Sequence, residues 1–256
     1  MAIPAGFPLK ADLAELDKPG SKAAESGDAK KALEGAAKKV NSTYFVPYVA
    51  HALMEPINCT AYVSKDKCDV WAPTQGQTGA QALASEISGL PPEKVNIHTT
   101  YMGCGLGRRA APDFVVEAVI ASKVSGKPVK VVWTREEDIQ YDLFRAATCQ
   151  RVEAGLDGQG QLTGWSHKVV AGSIFKLINP KAIQNGVDIM SLWGLVDFPG
   201  SPDGNRILYE IPNLYLEFLI SELPVPVTAW RSVQNGPNAF VTECFMDEMA
   251  HAAGKD

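Results

Sequence analysis

The amino-acid sequence predicts an α+β fold, a mixed α/β arrangement of strands, hairpins and crossover helices divided into two subdomains. Three observations predict this fold. Short runs alternate apolar and polar residues, as at 95–101, and longer runs repeat apolar residues at helical spacing, as at 78–90. The 22 glycines and 17 prolines are dispersed between such runs and mark turns. A chain of 256 residues can bury one large core or two small ones.

The first 24 residues are rich in proline, glycine, alanine and charge, and we interpret them as a loosely attached lead-in segment. The domain itself is therefore assigned to residues 25–256. Asp28 is a candidate N-cap for the first helix, because its carboxylate can accept a backbone hydrogen bond there. The elements expected up to residue 134 are a helix at 29–40, a strand at 41–50, a hairpin of strands at 60–63 and 69–72, a helix at 78–90, a strand at 95–101, a helix that stops at Gly126 and a strand at 129–134.

The second half is predicted to begin with a hairpin, since Asp157-Gly158-Gln159-Gly160 separates two strand-like runs. Residues 172–206 contain helix-like pieces broken by glycines and prolines, and we interpret them as an insertion or a lid. The elements expected after residue 149 are strands at 150–155, 162–170, 208–219 and 225–230 and a closing helix at 238–253.

The composition argues against some classes of partner. A net charge of −5 does not favour general nucleic-acid binding, which needs a basic surface. No apolar run is long enough to cross a bilayer, so no membrane span is expected. The compartment stays open between cytoplasm and periplasm.

The five cysteines predict neither a zinc site nor a self-contained iron–sulfur cluster. They are odd in number and include no C-x-x-C pair, and the four histidines also lack the spacing of metal ligands. We therefore interpret the cysteines as free thiols, most of them buried. No side chain of this chain is expected to bind a metal directly.

Residues 102–109, Met-Gly-Cys-Gly-Leu-Gly-Arg-Arg, are the strongest candidate for a binding loop. They lie between a predicted strand and a predicted helix, the layout in which backbone amides can face an anionic or oxo ligand. Gly103, Gly105 and Gly107 permit the main chain to approach a ligand closely. The two arginines are expected to add positive charge. The loop matches neither a Walker A sequence nor the dinucleotide-binding glycine spacing.

Three other polar residues occupy settings that suit a binding site. Glu55 interrupts an apolar run just before a proline; it either bridges backbone amides, which is favoured, or has a direct catalytic role. Gln75 ends a strand and opens a helix, where its amide can hydrogen-bond an oxo or hydroxyl group or simply cap the helix. Arg231 lies in a turn after an apolar run, and either contacts an anion or cofactor or forms a structural salt bridge.

Several motifs in this order resemble the molybdenum-binding subunit of the xanthine dehydrogenase/aldehyde oxidase family, particularly its isoquinoline 1-oxidoreductase beta-subunit branch. The resemblance runs from Leu16 to Asp256. It is strongest in the stretches HALMEPINCTA, WAPTQGQTGAQ, GLPPEKVNIHTTYMGCGLGRRAAPDFVVEA, GKPVKVVWTREEDIQYD and WRSVQNGPNAFVTECFMDEMA. Independent motifs that agree in order are far more specific than a single glycine loop.

The resemblance implies a molybdopterin-binding-domain-like fold and a cofactor-based mechanism. In this family a molybdopterin holds molybdenum with oxo, hydroxo and sulfido-type ligands, and water-derived oxygen is inserted at a substrate carbon as hydride passes to sulfur. By position, Gln75 matches the glutamine that hydrogen-bonds the apical oxo group. Leu106 occupies the position of a family residue, often Phe, whose backbone N–H faces the same region. Arg231 matches the arginine beside the cofactor, and the three loop glycines are expected to keep the main chain close.

Two departures bear on the substrate, and one bears on activity. Purine-oxidising members carry a glutamate where this chain has Ala110, and a substrate-stacking aromatic where it has Val233. Without those groups, an aldehyde or a less polar aromatic N-heterocycle fits better than xanthine. The family's base glutamate lies in a glycine-rich motif near the C-terminus, which does not occur here, and Glu55 does not match it.

The resemblance further implies that the chain is the N-terminal portion of a larger catalytic subunit, incomplete relative to the family and inactive alone. The expected cofactor is molybdopterin with molybdenum, in the cytosine dinucleotide form for a bacterial protein. The expected partners are a [2Fe-2S] small subunit, which accepts the electrons, and the remainder of the molybdenum subunit. The alternative is a non-catalytic module of the same fold that scaffolds or docks a partner.

Overall fold

The computed structural model describes residues 15–197, 207–222 and 224–256. The described residues form two compact units. The first unit is residues 50–144, and the second unit is formed by residues 15–49 together with those from 145 onwards. The predicted α+β fold with two subdomains is confirmed, and each unit has its own sheet and its own apolar core.

The strands and helices follow one another along the chain without internal repetition. The strands are β1 (Ser21–Ser26), β2 (Lys38–Val46), β3 (Asn58–Val63), β4 (Cys68–Ala72), β5 (Val95–Thr99), β6 (Val129–Val132), β7 (Thr148–Leu156), β8 (Leu162–Ala171) and β9 (Leu214–Ile220). The helices are α1 (Ala29–Glu34), α2 (Gln77–Ser88), α3 (Asp113–Ser125), α4 (Arg135–Gln140), α5 (Phe175–Ile178) and α6 (Asn235–Ala253). Single 3-10 turns occur at Pro92–Lys94, Arg108–Ala110, Pro180–Ala182 and Ile189–Leu192.

The first unit is a four-stranded sheet in the order β5-β4-β3-β6 with helices α2 and α3 packed on it. Strands β3 and β4 form the predicted antiparallel hairpin, whereas β4 and β5 run parallel and are joined through α2. Small side chains let the layers approach closely, since Ala61, Ala72, Ala80 and Ala84 are all fully buried. Parallel pairing places the carboxyl ends of β4 and β5 side by side, at the same end of the strands.

The second unit is a five-stranded sheet in the order β1-β9-β8-β7-β2, with α6 packed on it. Strands β7 and β8 form the second predicted hairpin, and β8 and β9 run parallel. Trp165 and Phe245 meet edge to face at the core, with ring centroids 5.0 Å apart, a favoured geometry for buried aromatic rings.

Glycines and prolines end the helices where the sequence predicts. Helix α2 stops at Gly89 and α3 at Gly126, which adopt positive φ angles of 77° and 66° and close the last turn with a backbone hydrogen bond. Asp28 caps α1 as expected, since its carboxylate accepts from the Lys31 N–H at 3.0 Å.

Three predicted elements were wrong in extent. The helix expected at 29–40 ends at Glu34, and the chain then enters β2 at Lys38 because that segment pairs with β7. The strand expected at 208–219 is confined to β9. No strand forms among the described residues 225–230, where Val227 makes only an isolated β-bridge and Pro226 has no N–H to donate to a ladder.

Strand β1 spans the boundary predicted at residue 24. Its residues pair with β9, so residues 21–24 belong to the sheet of the second unit. Residues 1–14 of the lead-in lie outside the described residues. Of the region interpreted as an insertion or lid, residues 172–197 contain α5 and two 3-10 turns, and residues 198–206 lie outside the described part.

No helix among the described residues has the length and apolar character needed to cross a membrane.

Candidate functional site

Gln75 lies in the turn between β4 and α2, held by both its main chain and its side chain. Its N–H donates to the Arg109 carbonyl at 3.0 Å, and its Oε1 accepts from the Gly107 N–H at 3.1 Å. Because a backbone N–H can only donate, the oxygen of the carboxamide must face Gly107. The Nε2 end of the carboxamide therefore remains available as a donor. Gln75 is exposed, and no described residue accepts a hydrogen bond from its Nε2. Helix α2 has no side-chain cap, so the capping alternative for Gln75 is wrong.

The glycine loop adopts a backbone that ordinary residues avoid. Cys104 and Leu106 have φ angles of 84° and 47°, and Gly107 has a φ of 100°. Left-handed conformations cost non-glycine residues of the order of 1–3 kcal/mol, and they persist only where surrounding contacts impose them. Such strain clusters at functional sites, and here it falls on the loop that the sequence singled out.

Two of the loop glycines are required for close approach to neighbouring segments. A Cβ on Gly105 would lie 2.5 Å from Gln75 Oε1, and a Cβ on Gly103 would lie 2.6 Å from the Cβ of Glu55. Both distances are too short for real side chains. The loop therefore packs its bare main chain against Gln75 on one side and Glu55 on the other.

Glu55 bridges backbone and side-chain donors. Its Oε2 accepts from the Gly103 N–H and from Arg109 Nη2, each at 3.0 Å, and its own N–H donates to the Gly103 carbonyl at 3.0 Å. These contacts confirm the bridging interpretation of Glu55 that the sequence favoured.

Arg108 and Arg109 do not present free charge to a ligand, contrary to the expectation from the sequence. Both side chains are buried, with 1% and 0% relative exposure. Arg108 forms a bidentate pair with Asp113 at 2.8 and 2.7 Å. Arg109 pairs with Glu55, and burial lowers the pKa of its guanidinium. The charges of both cations are compensated by acidic side chains inside the first unit, where the two side chains support the glycine loop.

A second buried group extends the Arg108 contacts. Arg108 Nε lies 2.9 Å from Asp142 Oδ1, and both side chains are 1% exposed. Asp142 also accepts from the main chain of His51 and of Leu143, and lies 3.2 Å from the His51 ring nitrogen. The Arg108 guanidinium lies 5.7 Å from the ring centroid of Trp133. Neutral and ionic partners thus surround this buried cation, as burial of a charge requires.

Ala110 is exposed at the end of the 3-10 turn that follows the loop. Its carbonyl oxygen would lie 3.0 Å from a Cβ on Gly76, so it lies beside the start of α2. Ala110, where the resemblance implies a glutamate in purine-oxidising members, therefore lies next to the turn of Gln75 and carries only a methyl group.

Arg231 and Val233 belong to the second unit, in the turn that precedes α6. Arg231 is exposed and forms no ion pair or hydrogen bond with any described residue, so the salt-bridge alternative finds no support. Ser232 and Val233 have φ angles of 69° and 54°, and the Val233 N–H donates to the Trp230 carbonyl at 2.6 Å. A β-branched residue at positive φ is a rare conformation.

Buried donors without partners accumulate around this turn. Among the described residues, Thr228 Oγ1, Trp230 Nε1 and Gln234 Nε2 are buried without a hydrogen-bond partner. Native proteins leave few such groups, and each calls for an acceptor from elsewhere. These atoms are themselves buried, so it is the exposed Arg231 whose charge is open to an anionic ligand.

Behind the turn lies a buried polar chain that sequence reasoning missed. His167 donates through Nε2 to Gln150 Oε1 at 2.7 Å, Gln150 donates to Asn238 Oδ1 at 2.8 Å, and Asn238 donates to the Trp193 carbonyl at 2.8 Å. All three side chains are buried, and burial lowers the pKa of His167 to about 3. The only feature of the sequence that could have indicated this polar chain is the single polar residue within each of three otherwise apolar runs.

The residues of the first unit fit an oxo-bearing cofactor. The loop carries glycine where a Cβ would collide, and its backbone holds positive φ angles at Cys104 and Leu106. The neighbouring Gln75 presents an amide donor that no described residue binds, so close approach and hydrogen bonding to an oxo group are both available. No group of three or more histidine, cysteine or acidic side chains that could hold a metal occurs in the part of the chain that the structure describes. The roles of Gln75, Leu106, the glycines, Ala110, Arg231 and Val233 towards a cofactor or substrate remain predictions.

Comparisons with known proteins agree with the resemblance. The molybdopterin cofactor-binding domain family matches residues 15–176. Isoquinoline 1-oxidoreductase subunit beta of Brevundimonas diminuta is 30% identical over 210 residues, which are 81% of this chain and 26% of that protein. The membrane-bound aldehyde dehydrogenase [pyrroloquinoline-quinone] of Gluconacetobacter polyoxogenes is 29% identical over 227 residues, 85% of this chain and 28% of that protein.

Solved structures show the same fold. The aldehyde oxidoreductase from Desulfovibrio gigas superposes with a TM-score of 0.75 at 22% identity, over 92% of this chain and 25% of that one. The CO dehydrogenase from Oligotropha carboxidovorans superposes with a TM-score of 0.70 at 20% identity. The chain thus spans between 25% and 29% of the length of these four relatives. On this sequence match and this fold, the chain belongs to the molybdopterin cofactor-binding domain family.

Proposed function

We propose that this chain is a portion of the catalytic subunit of a molybdenum hydroxylase, which oxidises an aldehyde or an aromatic N-heterocycle with water-derived oxygen. The observation that carries the proposal is the Gly107 N–H to Gln75 Oε1 hydrogen bond of 3.1 Å, because it turns the donor end of Gln75 outward beside the strained loop. Family membership supplies the cofactor class.

In the proposed enzyme, the residues of this chain bind and orient the cofactor. Gln75 Nε2 would donate to an oxo group of the cofactor, the Leu106 N–H would face the same region, and Gly105 would let the main chain approach. As the resemblance implies, Arg231 would contact an anionic part of the cofactor. When bound, molybdopterin with molybdenum supplies the redox chemistry, and the protein supplies orientation and electrostatics.

The substrate class follows from what two positions lack. Ala110 offers a methyl group where a purine-binding carboxylate would lie, and Val233 offers no ring for stacking. A site that loses a charged partner discriminates poorly in favour of a polar heterocycle. Two of the relatives are an isoquinoline oxidoreductase subunit and an aldehyde dehydrogenase, which agrees with a less polar ring or an aldehyde.

The complete enzyme, as proposed, includes the remainder of the molybdenum subunit, because the relatives are three to four times longer than this chain. It also includes a [2Fe-2S] small subunit that receives the electrons, and the cofactor is the cytosine dinucleotide form. In the family, the glutamate that acts as the general base lies in the remainder of the subunit. The isolated chain is therefore expected to be inactive, since general-base assistance alone contributes about 10²–10⁴-fold in rate.

Elemental analysis of the native complex, isolated through a tag on this chain, tests the proposal. We expect about one molybdenum atom per chain, as a bound cofactor requires. A folded complex without molybdenum would contradict the proposal and favour a scaffold or docking module. Because one relative is named for pyrroloquinoline quinone, the same extract is assayed for that quinone, and quinone in place of molybdenum would also contradict it.

A further inference from the structure

We propose that Arg109, acting with Glu55, is a positioning residue that fixes the Gln75 carboxamide towards the cofactor. The inference rests on the proposed function, since it assigns Gln75 the cofactor contact. The roles of Arg109 and Glu55 are additional to that function. Neither residue touches cofactor or substrate, yet together they determine the orientation of the Gln75 carboxamide.

The side chain of Arg109 joins two segments that flank the site. Its Nε donates to the carbonyl of Cys104 at 3.1 Å, inside the glycine loop. Its Nη2 donates to the main-chain carbonyl of Glu55 at 2.8 Å and to the Glu55 carboxylate at 3.0 Å. Cys104 has a φ of 84°, so this guanidinium holds the loop in a conformation that the chain would otherwise avoid.

The main chain of Arg109 joins a third segment. Its carbonyl oxygen accepts from the Gln75 N–H at 3.0 Å and from the Thr74 hydroxyl at 3.2 Å. One residue therefore fixes the backbone of Gln75 through its carbonyl, and fixes through its guanidinium the loop whose Gly107 N–H binds the Gln75 side chain.

Glu55 closes the same set of contacts. Its carboxylate binds both Arg109 and the Gly103 N–H, while its main-chain N–H binds the Gly103 carbonyl. Loss of either partner frees the loop at Gly103 and Cys104. The Gly107 N–H would then shift relative to Gln75 Oε1, and the carboxamide would lose its fixed orientation.

Only an arginine can make these contacts. Arg109 is fully buried, and its planar fork donates in different directions from Nε and Nη2. Lysine retains the charge but has one compact ammonium group, which cannot reach both carbonyls. The variant Arg109→Lys therefore keeps a cation inside the unit while it releases the loop.

A double-mutant cycle in the complete enzyme separates positioning from general stability. In the otherwise native enzyme, Arg109→Lys should lower kcat by about 10- to 100-fold, because a small misplacement of an orienting group has that effect. KM should change much less. In a Gln75→Ala background, the same change should have little further effect on kcat, since residues that act as a unit are not additive.

The matched control is Arg135→Lys. Arg135 also donates to main-chain carbonyls, those of Leu53 and Met54, and pairs with the carboxylate of Asp138 at 2.5 Å. It does not contact the loop or Gln75. This change should lower thermal stability and leave kcat unchanged in both backgrounds.

A second readout does not depend on activity. In the 256-residue chain itself, amide hydrogen exchange at Gly103 and Gly107 should be at least about 10-fold faster in Arg109→Lys than in the native chain, because local opening exposes those N–H groups. Exchange in α3 should remain unchanged. If Arg109→Lys does not fold, Glu55→Gln releases Arg109 more mildly and should show the same pattern.

Additive losses of kcat in an active, molybdenum-loaded enzyme, or unchanged exchange at Gly103 and Gly107, would overturn this inference and leave the proposed function standing. Absence of molybdenum from the native enzyme would overturn the proposed function instead. The exchange result would then still report whether Arg109 and Glu55 hold the loop.

Discussion

Arg108 and Arg109 are adjacent in the chain but bind different groups of partners. Arg109 holds main-chain carbonyls around the glycine loop, whereas Arg108 pairs with Asp113 and Asp142. Both cations are buried, so each depends on its partners for the solvation that water no longer provides. The consequence at the residue scale is that single changes here should be costly.

Removal of the Asp142 carboxylate should strongly destabilise the protein. Asp142→Ala leaves Arg108 buried and only partly paired, and breaking a buried ion pair costs about 3–5 kcal/mol. Urea unfolding of the 256-residue chain measures this loss. The control is Asp17→Ala, which breaks the exposed pair between Asp17 and Arg151 and should cost less than about 1 kcal/mol. Equal losses in the two variants would contradict the burial argument.

Gly105 should tolerate no side chain. In Gly105→Ala the new Cβ would collide with the Gln75 carboxamide, which must move away from Gly107. We expect reduced molybdenum content in the native complex, measured per chain. The control is Gly79→Ala, in helix α2, where a Cβ meets nothing within 4 Å. It should leave the metal content unchanged and stabilise the helix by about 0.5–1 kcal/mol. Molybdenum content that is equal in both variants would refute the steric explanation.

At the scale of elements, most segments that bear site residues are connections between regular elements. Gln75 lies between β4 and α2, residues 102–107 lie between β5 and a 3-10 turn, and Arg231 precedes α6. The parallel pairing of β4 and β5 brings the first two connections to one sheet edge. Loops held by rigid strands are the usual location of binding residues.

Helix α4 has a capping box that should contribute measurably to stability. The Thr134 hydroxyl accepts from the Glu137 N–H, and the Glu137 carboxylate accepts from the Thr134 N–H. Thr134→Ala should lower the free energy of unfolding by about 0.5–2 kcal/mol, measured by urea titration. The control is Thr78→Ala, an exposed position inside α2, which should be neutral or slightly stabilising. A loss at Thr78 as large as that at Thr134 would count against the cap.

At the scale of the whole molecule, the buried chain of His167, Gln150 and Asn238 connects two central strands of the second unit to α6, just after the turn that carries Arg231. Because Gln150 uses its amide nitrogen on Asn238, its oxygen must accept from His167. Either charge state of the imidazole could donate this bond, but burial disfavours the charged form and lowers the pKa of His167 to about 3, so the ring is neutral in the folded protein at pH 7.

This histidine should make the protein less stable in mild acid. Its folded pKa of about 3 lies below the unfolded value of 6.5, so the contribution to stability is complete above pH 6.5 and is lost as the pH falls towards 3. Between pH 7 and pH 5 the loss should be about 2 kcal/mol, from 1.36 kcal/mol per pH unit. Urea unfolding at both pH values measures it.

The control variant is His167→Gln, which keeps a donor for Gln150 and cannot titrate. Its stability should change less than that of the native chain between the two pH values. Identical pH dependence in the two proteins would show that other groups account for the acid sensitivity.

Local patterns were sufficient for much of the fold. Asp28, Gly89 and Gly126 end helices where their sequence positions indicate, and the two hairpins pair as expected. Capping, turn formation and alternation depend on neighbours within a few residues, so the sequence alone determines them. The predicted helix at 29–40 was wrong because residues 38–46 pair with β7, more than a hundred residues away, and such tertiary pairing overrides propensity.

The candidate site, like the fold, depends partly on local sequence and partly on tertiary contacts. The sequence by itself determined which segments matter, because the glycines, Gln75 and Arg231 stand in turns beside regular elements, and the motif order indicated the family that the comparisons then showed. Only the tertiary structure decided what the side chains do. It buried Arg108 and Arg109 among acids, turned Gln75 Oε1 onto Gly107, and made Glu55 a bridge. Apart from the pair of Arg108 with the nearby Asp113, those outcomes depend on partners 32 to 54 residues away, which no local pattern specifies.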